Sequence, residues 1–135
     1  GHLEIVDILL SHGANVHVEG DQPLCEAATR GHTEMVRLFI KHGADINACQ
    51  DLPIRAACRG GHLEIVRMLV EAGVDVRSDA GHEALQLAAR GGWVEVVKYM
   101  ALHGADVHDK VTWSFILRIP AMRKALGIAE PYLYS

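Results

Sequence analysis

Aromatic residues are scarce: two Trp, three Tyr and two Phe make up 5% of a 135-residue chain that is 50% hydrophobic. An interior so poor in rings must be filled by aliphatic side chains and alanine, which suits closely packed helices. Cysteine is also sparse. Cys25, Cys49 and Cys58 are odd in number and show no Cys-x-x-Cys spacing, which argues against a disulfide framework and against a zinc finger. Reduced thiols in an intracellular, cytoplasmic setting are the expectation. No apolar run reaches the roughly 18 residues that a membrane span needs. Basic charge is not in excess: 13 Lys and Arg stand against 17 Asp and Glu, a net −4 with His neutral. Bulk attraction to nucleic acid or to anionic lipid is therefore not expected. Catalytic signatures are missing as well. There is no Gly-x-Ser-x-Gly, no Gly-rich phosphate loop after a strand and no His-Glu-x-x-His, so neither an enzyme nor a cofactor is expected. The chain opens on Gly-His rather than Met and shows no signal-peptide pattern; Gly1 reads as a cut end.

What the chain does contain is repetition. GHLEIVDILLSHG begins at residue 1, GHTEMVRLFIKHG at 31, GHLEIVRMLVEAG at 61 and GWVEVVKYMALHG at 92, a period of 30 or 31 residues. A fixed period in this range signals stacked supersecondary units. Each segment reads as a long helix closed by a glycine suited to the left-handed C-cap. Before three of them lies a shorter helical stretch: residues 22–30 with Pro23 in the first turn, Leu52–Arg59 with Pro53, and Glu83–Arg90. Alanine pairs such as Ala27-Ala28 and Ala88-Ala89 let a neighbouring helix come close. The first segment, residues 1–12, has no such partner. Its apolar residues Leu3, Ile5, Val6, Ile8, Leu9 and Leu10 cover more than one narrow stripe, so two faces need burial. Either an upstream segment is missing or this helix frays.

These residues resemble the ankyrin repeat family. Pro23-Leu24, Ala27-Ala28, Gly31-His32 and Gly43-Ala44-Asp45-Ile46-Asn47 follow its pattern, as do Pro53-Ile54, Gly61-His62, Ala88-Ala89 and Gly104-Ala105-Asp106-Val107. The resemblance covers residues 1 to about 108 and implies an all-α solenoid of stacked helix-turn-helix units. The units are read as about 1–21 (lacking its first helix), 22–51, 52–81 and 82–109. Residues 110–127 are read as a degenerate repeat or C-terminal helical cap with helices near 111–119 and 120–126, and 128–135 as a poorly ordered tail. The family unit is usually about 33 residues, so residues are missing from the β-hairpin finger. Such shortened fingers resemble the ankyrin arrays of giant DNA viruses of amoebae. The family's Thr is replaced by Gln22, Leu52 and Glu83, and its His by Cys25, Arg55 and Gln86, which puts the usual hydrogen bonds to neighbouring turns in doubt.

Nine histidines invite a metal reading, but His2, His32 and His62 precede the long helices, and His12, His42 and His103 precede a closing glycine. Equivalent positions form lines along a stack rather than tetrahedral clusters, so these are read as capping and turn residues. Trp93 in place of the histidine in the last unit agrees with a packing role. Glu4, Glu34, Glu64 and Glu95 lie in first turns and favour the helix dipole. Arg37, Arg67 and Lys98 follow three residues later, each an i,i+3 partner worth about 0.2–0.5 kcal/mol. Cys58 occupies a buried alanine position of the family and reads as a packing thiol.

The charges that bear on function are Arg30, Arg55, Arg59 and Arg90 on the shorter helices, beside Glu19, Asp21, Asp51 and Asp79 at the finger tips. In the family these helices and fingers line the concave face. The expected surface is an arginine ladder beside an acidic rim, and arginine suits bidentate contacts to carboxylate or phosphate. A solvated face with local ion pairs is the plainer reading. Asn47 resembles the family asparagine that can be hydroxylated; an ordinary turn residue is the plainer reading there too. The resemblance implies protein–protein recognition through the concave face by a monomer, with no nucleic acid or membrane partner. The alternatives are an adaptor fragment that brings a target to an effector such as a ubiquitin ligase, and a structural spacer without a partner of its own.

Overall fold

The computed structural model describes residues 2–128, and these contain nine helices and no strand. The helices are α1 (His2–Ser11), α2 (Gln22–Arg30), α3 (Thr33–Lys41), α4 (Ala48–Gly60), α5 (Leu63–Glu71), α6 (Asp79–Gly91), α7 (Val94–Leu102), α8 (Lys110–Arg118) and α9 (Pro120–Ala125). They form two rows. Helices α2, α4, α6 and α8 pack side by side in an inner row; α1, α3, α5, α7 and α9 form the outer row, each except α1 paired with the inner helix before it.

The core repeats with the sequence. Leu24, Ile54 and Leu85 are buried at one inner position, Ala28, Cys58 and Ala89 at another. Val36, Val66 and Val97, then Phe39, Leu69 and Met100, are their outer counterparts. Helices α2, α4 and α6 end on left-handed glycines, Gly31, Gly61 and Gly92, at φ 74°, 71° and 76°. A β-carbon is disfavoured there. The next residue, His32, His62 or Trp93, is the N-cap of the outer helix, and its side chain makes no cap hydrogen bond. This corrects the capping hydrogen bonds expected of His32 and His62. The His62 ring instead fills the turn of the preceding unit, where a β-carbon on Gly31 or Gly60 would lie 2.5 Å from it. Trp93 packs in the same way on Gly61 and Gly91 and donates its indole N–H to the Arg59 carbonyl at 2.9 Å. Ile119, the N-cap of α9, takes the corresponding place beside Gly92.

The distinction between short and long helices does not hold: α2, α3, α5 and α7 each have nine residues, and α6 has 13. The outer segments lose their last residues to the glycine turn, whereas α6 starts at Asp79, four residues ahead of the expected Glu83, because the Ser78 hydroxyl accepts the Gly81 N–H.

The fingers are turns rather than β-hairpins. Residues 19–21 have φ 52°, 65° and 64°, and residues 49–51 have φ 55°, 58° and 60°. Each is a single left-handed turn, and five of the six residues carry a β-carbon, at a cost of roughly 1–2 kcal/mol apiece. The third finger belongs to the 31-residue unit, and with its extra residue it runs as ordinary right-handed helix at the start of α6. The shortened unit is therefore closed by backbone strain.

At the far end α8 packs on α6 and α9 on α7. Ile116 and Met122 are fully buried, and Asp109 caps α8 by accepting the N–H groups of Val111 and Thr112. Helix α8 passes into Ile119-Pro120 without a left-handed glycine. Of the expected tail, Ile128 bonds to the Arg123 carbonyl, and residues 129–135 lie outside the described residues.

Candidate functional site: the inner-helix face

The inner row carries the arginines, and the four differ in what holds them. Arg30 pairs with Glu26 one turn earlier at 2.8 Å. The half-buried Arg55 donates to the Gln50 carbonyl at 2.8 Å and lies 3.7 Å from Glu83, so it ties its own finger to the next unit. Arg59 and Arg90 are exposed. Both stand two residues before the left-handed glycine, whereas Arg30 stands one residue before it. One residue turns a helix by about 100°, so Arg30 points away from the line of the other two. The expected three-rung ladder therefore reduces to Arg59 and Arg90 in equivalent positions of neighbouring units. The Arg90 guanidinium lies 5.6 Å from the Phe115 ring centre. Among the described residues, no ion pair forms at Arg59.

The acidic rim is thinner than the sequence suggests. Glu19 and Asp79 are exposed and Asp51 is half-buried. Asp21 is only 5% exposed. Its Oδ1 accepts the Asp45 N–H at 3.0 Å and lies 3.0 Å from His17 Nδ1, so it links the first finger to the next. It belongs to the joint between units rather than to a rim.

Gln86 follows Arg55 in the same helical position, six residues before the closing glycine, a continuity that the search for charges passes over. Gln86 donates to Asp109 Oδ1 at 3.3 Å and contacts His82 Nε2 at 3.1 Å. At Asp109 burial opposes ionisation, but hydrogen bonds from Thr112 and Gln86 and the proximity of His82 hold the carboxyl below its ordinary value. The replaced family histidines thus still have working substitutes at Arg55 and Gln86.

The histidines do structural work. His12 and His103 bond the carbonyls of Ile8 and Tyr99 at 2.7 and 2.8 Å. His42 Nε2 reaches across units to Asp7 at 2.9 Å, with Lys41 at 3.9 Å. That hydrogen bond is the main reason the Asp7 carboxyl sits below its ordinary pKa; slight burial opposes the shift, and the nearby Lys41 charge adds to it. The described residues contain no group of three His, Cys, Asp or Glu arranged to hold a metal ion. On the outer row, Arg37 pairs with Glu34 and Arg67 with Glu64 at 3.3 and 3.6 Å. The expected Glu95–Lys98 pair is not formed among the described residues. Asn47 is exposed at the start of α4; its N–H donates to Asp45 Oδ1 at 2.9 Å and its side chain makes no cap.

The clefts are open. A groove of about 270 Å³ runs between α1 and α3, from Leu3 to Lys41, and one of about 300 Å³ lies among Leu102, Trp113 and Leu126. No described helix is long and apolar enough to cross a membrane.

Comparison with known families agrees with this architecture. The model for ankyrin repeats in many copies matches residues 24–70 and 54–101, and that for the single ankyrin repeat matches residues 1–21. No curated protein matches the chain. Repeats of this kind are generally protein–protein interaction modules and are typically non-enzymatic. With matches over well more than half its length, and with the inner and outer rows that those matches imply, the chain belongs to the ankyrin repeat family.

Proposed function

We propose that this chain binds a partner protein through the face formed by α2, α4, α6 and their fingers, with Arg59 and Arg90 receiving acidic groups of the partner. The observation that carries this reading is that these two guanidinium groups are exposed in the same helical position of adjacent units. Helices that pack directly lie about 8–10 Å apart, so the fitting partner presents carboxylates or phosphates at a comparable spacing. A guanidinium at each rung offers bidentate contacts that lysine would not. The half-buried Arg55 reaches the exposed Glu83 of the next unit, and Glu19 and Asp79 border the surface. The repeats from residue 1 to about 109 form the platform, and residues 110–127 close its far end.

The test is affinity purification with mass spectrometry from cell lysate. It compares the intact chain, Arg30→Glu, and the double variant Arg59→Glu with Arg90→Glu, all shown to be folded by circular dichroism. A partner kept by Arg30→Glu and lost by the double variant supports the reading. A partner kept by all three places recognition elsewhere on the stack. No partner for any of them favours a spacer.

A further inference from the structure

Two of the three cysteines lie where the units of α2 and α4 join. Cys25 lies in the first turn of α2 with its side chain fully buried. Cys49 is half-buried in the left-handed turn 49–51, its Sγ 3.6 Å from Gln22 Oε1 and 3.8 Å from the Gly20 carbonyl. Gly20 and Gln22 flank Asp21, whose carbonyl accepts the Cys25 N–H at 3.2 Å. Both cysteines therefore belong to one corner of the stack, close enough for each to act on the other's ionisation. Burial and the contact with Cys49 push the Cys25 thiol up to about 12; Cys49 is the more accessible of the two and meets an oxidant first. Cys58 makes the contrast. It is fully buried against Met100 Sδ at 3.4 Å, burial pushes its thiol up to about 12, and no second thiol faces it.

We propose that Cys25 and Cys49 are a redox-sensitive pair, which a low-molecular-weight disulfide such as oxidised glutathione converts into an intrachain disulfide between neighbouring units. In the first step the Cys49 thiolate attacks one sulfur of the small disulfide. That S–S bond breaks, one small thiolate leaves, and Cys49 carries a mixed disulfide. In the second, Cys25 Sγ attacks Cys49 Sγ, the mixed disulfide breaks, and the second small thiol leaves with the Cys25 proton. In sum, two protein thiols are oxidised by two electrons and one small disulfide is reduced to two thiols. The second step is the slow one, because a buried and protonated thiol is a poor nucleophile.

The bond would join positions 49 − 25 = 24 residues apart and pin the strained finger to α2. That finger supplies the Gln50 carbonyl that holds Arg55, so oxidation acts on the inner-helix face. Closing a loop of this size raises the Tm by roughly 5–10 °C.

The experiment incubates the folded chain with oxidised glutathione at neutral pH, blocks remaining thiols with N-ethylmaleimide, and maps peptides without reduction. A cross-linked pair through Cys25 and Cys49, with the Tm raised as stated, is expected in the intact chain. It should persist in Cys58→Ala, which carries the residue present at that position in the neighbouring units, and vanish in Cys49→Ser with helicity retained. A folded chain that stops at the glutathione adduct on Cys49, or that reacts at neither thiol, would overturn the proposal.

Discussion

His2–Val6 and His62–Val66 have the same sequence, HLEIV, and opposite fates. Ile5 is 58% exposed and Ile65 is 0%; Leu9 and Leu69, four residues further along each helix, are 55% and 0% exposed. Helix α5 has α3 and α7 on its sides and α4 behind it, whereas α1 touches α3 and, among the described residues, has no inner helix of its own. Identical residues thus form the same helix in both places, but burial depends on what the neighbouring units bring. At about 25 cal/mol per Å², full burial of one such side chain is worth roughly 1.5–3 kcal/mol, and α1 forgoes most of that at each of these positions. Helix α1 is held by its contact with α3, by partly buried Val6 and Leu10, and by Asp7 reaching His42 and Lys41.

The largest expected difference is in hydrogen exchange. Amides of α1 should exchange at least about 100-fold faster than those of α5, since one opens locally and the other only with the stack. Equal protection would show that α1 is covered by something the described residues lack. Next come paired truncations. Ile65→Ala should cost about 2–5 kcal/mol in urea unfolding and Ile5→Ala less than about 0.5 kcal/mol; similar losses would mean that α1 shares the core. A third comparison sets finger against finger. Gln50→Gly, at φ 58°, should stabilise by about 1 kcal/mol because glycine tolerates the left-handed region. Ala80→Gly, in the right-handed start of α6, should destabilise by about 0.5–1 kcal/mol. Stabilisation by both would remove strain as the explanation.

The smallest effect is the pH dependence of α1. Asp7 has a folded pKa below its ordinary 3.8, mainly through the hydrogen bond to His42. Its contribution is therefore complete above the ordinary value and is lost as pH falls through the lowered one. Exchange in α1 should accelerate, relative to the intrinsic rate at each pH, below about pH 4, ahead of any loosening of α4–α7. Asp7→Asn should abolish that early phase; an unchanged acid profile would show that His42 does not hold the helix.

Much of the architecture was legible in the chain. The 30- and 31-residue period, the Gly-His segments and the prolines at helix starts place every described helix to within a few residues, except where the fingers intervene. The finger geometry was not legible, because nothing local in Cys49-Gln50-Asp51 favours three left-handed residues in succession. The short connection between two packed units imposes them. The site was legible only in part. The offset of Arg30 from Arg59 and Arg90 could have been read by counting back from Gly31, Gly61 and Gly92, whereas the burial of Asp21 depends on an N–H at Asp45, in the next unit.

Sequence alone determined the family, the helical repeat and the order of its parts, since these rest on interactions within a few residues: apolar spacing, left-handed glycine caps and proline at first turns. Tertiary structure decided which copy of HLEIV is core and which is surface. It also decided which arginines stand in line and which cysteines share a corner of the stack. Those outcomes depend on contacts between units 30 or 31 residues apart, where a helix turn of 100° or the loss of one finger residue reassigns a side chain from one neighbour to another.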